Sequence, residues 1–263
     1  MVLVLNGVLQ AKCPQDTQSL YNAHPVYRET AGQLLAIPIK VIGPVGLLYV
    51  QQREFAATVP HDKNVSIIGS DGATTCIIVV VRHSGSGGDS SGSLRWLRYR
   101  RSRLYHGAEG AGVGLRVPRR QDRIATSRRL YRRTSFSEEL FFNLMTTNPV
   151  EIDLTLACVG QLNSTIRGGI PWPVVYGVGV NIKTGEIFPA TFPEKGPEEC
   201  LRRARHLTGV PQVLDIYDCG LGLLRIGPFN YKPLRGVDLW LEQSDEFILQ
   251  HLSTSPDVEP PTS

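Results

Sequence analysis

The residue with the clearest chemical potential is Cys76. It closes the stretch Ser66-Ile67-Ile68-Gly69-Ser70-Asp71-Gly72-Ala73-Thr74-Thr75-Cys76 and opens the apolar run Ile77 to Val81. The pattern predicts a strand ending at Gly69, a tight polar turn, and a new strand with a thiol at its mouth. A thiol there can be approached by backbone N–H groups, as a nucleophile and its oxyanion pocket require. A small buried hydrophobe would fit the same position, so the residues alone leave both readings open. The other cysteines, Cys13, Cys158, Cys200 and Cys219, form no CxxC pair and no metal spacing with it. Gly110-Ala111-Gly112-Val113-Gly114 is glycine-rich but follows no strand, so it is no phosphate loop, and neither a metal nor a cofactor is expected.

The elements that must position Cys76 follow from periodicity. Gly46 to Glu54, Val65 to Gly69 and Cys76 to Arg82 read as strands, the last apolar enough for burial on both faces. Val150 to Val159 alternates like a strand, and Pro173 to Phe188 reads as a hairpin turning at Lys183-Thr184-Gly185. Val213 to Tyr217 and Leu223 to Ile226 form another pair. Ser19-Leu20-Tyr21 suggests a short helix and Gly32 to Ile37 a strand. Helices are expected over Ser135 to Met145, after Pro197, and from Ser244 to Leu252. Many strands with few helices predict an α+β or α/β domain with helices on one side of packed sheets. At 263 residues and 41% hydrophobic content, residues 1–263 can form one domain around a sizeable core. No apolar run approaches the ~20 residues of a membrane span, and the start lacks a basic leader. Scattered, unpaired cysteines point to a reducing compartment, the cytosol or nucleus.

Several ordered blocks carry a resemblance. Gly46 to Glu54, Ile68-Gly69-Ser70-Asp71, Ala73-Thr74-Thr75-Cys76, Val180-Asn181-Ile182-Lys183-Thr184, Gly196-Pro197-Glu198-Glu199, Ile226-Gly227-Pro228 and Leu252-Ser253-Thr254-Ser255-Pro256 resemble the protein N-terminal asparagine amidohydrolases. Those enzymes convert an exposed N-terminal Asn to Asp. The resemblance covers residues 1–90 and 135–263. It implies an α-β-β sandwich of the toxin-deamidase type of cysteine hydrolase, with Cys76 attacking the side-chain carboxamide. It also implies protein or peptide substrates with N-terminal Asn, a link to N-terminal-residue-dependent ubiquitin-mediated degradation, and a monomer without nucleic-acid or membrane partners. In that family a His serves as base and a Ser hydroxyl completes the triad. Ser70 is the candidate for that Ser, although it fits a turn-former equally, and Ser253 and Ser255 are in reserve. An α-ammonium needs an acidic or carbonyl cage, for which Glu54, Asp71 and Asp238 are available. Tyr49 and Gln51 could bind the carboxamide, or pack in the core. The family continues beyond the end of this chain, so an incomplete C-terminal sheet is expected.

The base is missing from its expected place. His83 lies seven residues along the Cys76 strand, roughly 23 Å away and facing the other side. His24, His61, His106, His206 and His251 carry no family motif. The resemblance expects His-Cys-Asp-Gly where the chain reads Ser93-Leu94-Arg95-Trp96. From Ser93 to Thr134 there are 13 Arg against Glu109 and Asp122, a charge of +11, so the remaining residues sum to 4 − 11 = −7. Permitted codons for Ser93 to Arg100, read one base later, give His-Cys-Asp-Gly-Cys-Asp-Thr. The same shift over Thr126 to Arg133 gives Leu-Val-Gly-Gly-Phe, another family block. Residues 93–134 are therefore read as frameshifted, and 84–134 as a loop and an aberrant Arg-rich insert. Nucleic-acid binding by this basic segment and a solvated loop are the rival readings. Poor order over the Arg-rich window, where Gly107 to Gly114 is Gly/Ala-rich and Arg95 to Arg103 has no clear apolar face, is expected, as are two central strands without a family strand beside them and little or no activity. The alternatives are another thiol amidase or transglutaminase-like enzyme on the same scaffold, or a catalytically dead relative that binds protein N-termini as an adaptor.

Overall fold

The computed structural model describes residues 2–74, 76–82, 94–99, 141–142, 145, 151–206, 213–230 and 236–252. The chain opens with β1 (Val2–Leu5) turning back on β2 (Val8–Gln10), through Asn6 and Gly7 at positive φ. Helix α1 (Thr17–Ala23) is capped by Asp16, which accepts a hydrogen bond from the Ser19 N–H. Helix α2 (Pro25–Ala36) begins with Pro25, where a missing N–H costs nothing. It buries Tyr27, Ala31 and Leu34, spaced as one helical face. That face explains why Gly32 to Ile37, expected as a strand, instead continues the helix as far as Ala36.

Short strands dominate the rest. In order they are β3 (Lys40–Val41), β4 (Leu47–Tyr49), β5 (Glu54–Thr58), β6 (Ile67–Ser70), β7 (Ile77–Arg82), β8 (Leu94–Tyr99) and β9 (Glu151–Leu154). Then come β10 (Ser164–Arg167), β11 (Ile170–Pro173), β12 (Val178–Asn181), β13 (Ile187–Thr191) and helix α3 (Glu199–His206). The chain continues with β14 (Leu214–Asp215), β15 (Tyr217–Asp218), β16 (Leu223–Leu224), α4 (Val237–Leu241) and α5 (Asp245–Leu252). Several sheets and few helices make this a mixed α and β fold, as the sequence predicts. None of the described helices is long and apolar enough to cross a membrane.

Two sheets matter for the site. One has the order β3-β13-β12-β6-β4, the other β14-β5-β8-β7. Leu48, Val50, Ile68 and Val180 of the first share a core with Ala56, Ile78, Val80 and Leu214 of the second. On the first sheet's other face, Tyr49, Phe188, Ala190 and Phe192 cluster with Ile37 and Ile67. A Cβ on Gly69 would lie 2.2 Å from the Phe192 ring, so only glycine lets that ring cover the strand. A third cluster joins Leu3, Leu5, Leu20, Tyr21 and Tyr27 to Ile77 and Phe141.

Three sequence expectations are corrected. The single strand over Gly46 to Glu54 is two strands in different sheets, because the chain turns at Gln51 to Arg53 and crosses over. Arg53 adopts φ 63°, and the Glu54 N–H donates to the Gln51 carbonyl at 3.2 Å. The strand over Val150 to Val159 stops at Leu154, where its pairing with β1 ends. The two central strands do have a neighbour: β8 runs antiparallel between β5 and β7, pairing Ala56 with Trp96 and Ile77 with Tyr99. The two flanking strands present free ladder groups that any non-proline backbone can fill. The Ser135–Met145 helix is described only at residues 141, 142 and 145, which are helical. The other residues of the 84–134 segment lie outside the described residues.

Near the rim of the second sheet, Asp62 accepts hydrogen bonds from Thr58 Oγ1 and Tyr217 OH, both at 2.8 Å. Burial and the Asp62 partner push the Tyr217 hydroxyl up to about 12. A folded value above the unfolded one of about 10 means stability that is present below pH ~10 and lost as pH rises through ~12. Tyr217→Phe should therefore cost about 1 kcal/mol near neutrality, with the gap to the parent closing between those two pH values. Urea unfolding of both proteins across that range measures it, and a constant gap contradicts it.

Candidate active site

Strands β4 and β6 run parallel, with Leu47 opposite Ile67 and Tyr49 opposite Gly69. Their C-terminal ends meet at one rim, and each runs into a tight connection. After β4 comes the turn Gln51 to Glu54. After β6 comes Asp71 to Cys76, which reverses at Gly72 (φ 66°). The Ala73 N–H donates to the Tyr176 carbonyl at 2.8 Å, tying that loop to the start of β12. A Cβ on Gly177 would fall 2.5 Å from Asp71 Cβ, so this docking needs glycine. At the end of the loop Cys76 is half-buried, and Gln52 Nε2 donates to its Sγ at 3.6 Å.

The sequence candidates divide between two faces. Leu48 and Val50 lie in the core between the sheets, and Tyr49 in the cluster on the opposite face. By the two-residue alternation, Ser70 shares the intersheet side with Ile68, and Cys76 shares it with Ile78 and Val80. The bond from Gln52 to Cys76 puts Gln52 on that side too. Ser70 is wholly buried, and its Oγ meets no hydrogen-bond partner among the described residues. On the other face, Tyr49 OH donates to Asp71 Oδ1 at 2.8 Å. Asp71 Oδ2 accepts from the Phe192 N–H at 2.9 Å, and Lys195 Nζ stands 3.1 Å from Oδ1. Asp71 thus already carries a cation and a strand contact. Gln51 Nε2 donates to the Glu199 carbonyl at 3.3 Å, while its buried Oε1 has no described partner.

Glu54, a candidate for the α-ammonium cage, is held within the protein by other groups. It is fully buried, and Oε2 accepts the Gln51 N–H at 2.8 Å. Its carboxylate meets Arg202 through Nε at 3.2 Å and through Nη2, and Arg205 Nη2 at 2.6 Å. Arg202 also reaches Glu198 at 3.1 Å and donates to the Tyr49 carbonyl at 2.6 Å. Two guanidiniums thus face two carboxylates, one of them, Glu54, completely enclosed. Asp238 is exposed in the first turn of α4. Ser253 and Ser255 lie outside the described residues.

Sequence reasoning missed Gln52, Lys195 and the arginine pair. Glu198, just before α3, stands at helical spacing from Arg202 and Arg205 within it, a legible signal for a partner carboxylate; nothing in the spacing names Glu54 as that partner. Burial pushes Cys158 up to about 11 and also raises Cys13, while Cys200 and Cys219 are exposed. No described histidine hydrogen-bonds Cys76. His24 lies against Tyr27, His251 stacks on Phe247 with centroids 4.0 Å apart, and His61 is in an exposed turn. His83 and His106 lie outside the described residues, as does the His206 side chain. Among the described residues, no three His, Cys, Asp or Glu side chains are grouped to hold a metal.

Glu54→Gln leaves two buried guanidiniums under-compensated. It should lower unfolding stability by roughly 3–5 kcal/mol, the usual cost of breaking a buried ion cluster from one side. Denaturant unfolding checks this. An unchanged midpoint with a raised KM would instead mark Glu54 as a group that meets substrate.

The sequence model of the family described as protein N-terminal asparagine amidohydrolase matches residues 37–94 and 130–263. The unmatched residues between them, 95–129, fall inside the arginine-rich window. Three curated relatives carry the name protein N-terminal asparagine amidohydrolase. The mouse protein is 40% identical over 270 residues, which is 99% of this chain and 84% of the relative. The human and pig proteins are each 39% identical over the same shares. The rim that joins Cys76 to the β4 turn therefore belongs to a hydrolase scaffold, and the chain is a member of the protein N-terminal asparagine amidohydrolase family.

Proposed function

We propose that the site deamidates the side chain of an N-terminal asparagine through a thioester on Cys76. The supporting observation is the half-buried thiol at the common end of two parallel strands, with a carboxamide donor on its sulfur. In this reading the thiolate adds to the carboxamide carbon, and the carbonyl π pair moves to oxygen. Collapse restores the carbonyl, breaks the C–N bond and releases ammonia, which takes up a proton. Water then cleaves the thioester, giving the Asp carboxylate and the free thiol. At a free-thiol value near ~8.5 little thiolate exists at neutral pH, so the cycle needs a base. Ser70, buried on the same side, is our candidate for the triad hydroxyl. We infer an α-β-β sandwich, on the grounds that two sheets share one core. The product, a new N-terminal Asp, would enter N-terminal-residue-dependent degradation in the cytosol or nucleus.

The residues Ser93-Leu94-Arg95-Trp96, where the resemblance expects His-Cys-Asp-Gly, favour a second reading, in which this chain binds protein N-termini but turns them over poorly. Reading residues 93–133 one base later would supply a histidine near position 94. In the present register that position pairs with Arg82, at the far end of β7 from Cys76, whereas Ile77, the neighbour of Cys76, lies opposite Tyr99. Here 99 − 94 = 5, so the shifted chain must pair β8 at least five residues out of its present register. Ammonia release from an Asn-Val peptide separates the readings. We expect little or none from the chain as it stands. Turnover that disappears in Cys76→Ala is expected once the shifted frame replaces residues 93–133. Full Cys76-dependent turnover by the unaltered chain refutes the missing base, and an inert shifted chain refutes Cys76 as nucleophile.

A further inference from the structure

We propose that Gln52 is a catalytic residue of this site, whose side-chain N–H donates to the Cys76 sulfur and then serves the oxygen of the attacked carboxamide. The proposal rests on Cys76 being the nucleophile, as argued above.

The contact is built rather than incidental. Among the described residues, Gln52 is the group that hydrogen-bonds Cys76, across 24 residues of sequence. Its backbone sits in a turn closed from both ends, by the Gln51 N–H on Glu54 Oε2 and the Glu54 N–H on the Gln51 carbonyl. Arg202 and Arg205 fix that carboxylate, and Arg202 also holds the carbonyl of Tyr49 just before the turn. The position of Gln52 is thus set by a buried ion cluster and not by the side chain's own reach. A second polar group waits on the same side: Ser70 Oγ, fully buried, with no partner among the described residues.

The chemistry follows from the carboxamide's two N–H donors. A hydrogen bond donated to sulfur favours the charged form over the neutral one and strengthens as charge builds. During attack the sulfur lone pair becomes the C–S bond and the negative charge moves to the substrate oxygen, two bonds from the sulfur. The donor that served the sulfur is then beside the oxyanion, and the second N–H can join it. No proton is transferred by Gln52, so this role is separate from that of the missing base.

The test is alkylation of Cys76 by iodoacetamide, followed by peptide mapping, in the parent, Gln52→Ala and Gln52→Glu proteins across neutral and alkaline pH. Losing a charge-assisted hydrogen bond should cut the thiolate population roughly tenfold near neutrality. The more basic sulfur is also a better nucleophile, so the net slowing in Gln52→Ala should be about threefold at neutral pH. At alkaline pH the order should equalise or invert. Gln52→Glu keeps the shape but sets a carboxylate by the sulfur, and should react more slowly still; it also carries the comparison should Gln52→Ala lower the melting temperature. Unchanged or faster neutral-pH alkylation in the variants overturns the proposal, as does a slowing that is equal at every pH. Either outcome, with parent Cys76 still reacting faster than Cys200 and Cys219, sinks Gln52 alone. A parent Cys76 no more reactive than exposed Cys200 and Cys219 sinks the nucleophile instead.

Discussion

The buried carboxylate of Glu54 is the constraint on which the rim of this protein depends. An isolated carboxylate in that position would be prohibitively costly to desolvate. Arg202 and Arg205 offset that cost only by bringing α3 onto the ends of β4 and β5, and Arg202 is nearly as deeply buried as its partner. The consequence is geometric. Because Glu54 must point at α3, its other oxygen contact, the Gln51 N–H, closes the preceding turn and lifts the chain from one sheet to the other. Gln52 is carried at the tip of that turn and meets Cys76 arriving from β6. Charge burial, strand crossover and the donor on the sulfur are three aspects of one arrangement.

A second constraint operates on the opposite face. Asp71 joins Tyr49, Phe192 and Lys195 within one buried group, so the residue that leaves β6 is pinned before the loop to Cys76 begins. Gly69 and Gly177 allow the close approaches that this group requires. The loop is therefore anchored at Asp71, at Ala73 and at Cys76. That suits a nucleophile, which loses rate when its position drifts.

Much of this was legible in the residues, though unevenly. The apolar run after Cys76 and the hairpin turning at Lys183-Thr184-Gly185 follow directly from local pattern, because strand period and turn chemistry are short-range properties. Gly46 to Glu54 also looked like one strand, because its break is caused by Glu54 answering two arginines some 150 positions later. The same non-locality hid Gln52: a glutamine in a polar turn announces nothing until its thiol partner is placed. Tyr49 and Gln51 read equally as carboxamide binders or as core, because strand alternation does not say which face of the sheet Cys76 lies on. Gly32 to Ala36 reads as extended on its own residues, because its helical state is set by the face it shares with Tyr27 and by the helix-opening Pro25. In the arginine-rich window, β8 forms because backbone pairing with β5 and β7 asks little of side-chain identity. Pairing alone does not bring an imidazole to the sulfur.

The most direct measurement of the central claim uses a peptide whose first residue replaces the asparagine carboxamide with a diazoketone and keeps a free α-amine. Intact-mass and peptide mapping after incubation with the chain should show a single adduct on Cys76, absent when the probe's amine is acetylated. Adducts on Cys200 or Cys219, or labelling indifferent to acetylation, would contradict a Cys76 site built to receive an N-terminal asparagine.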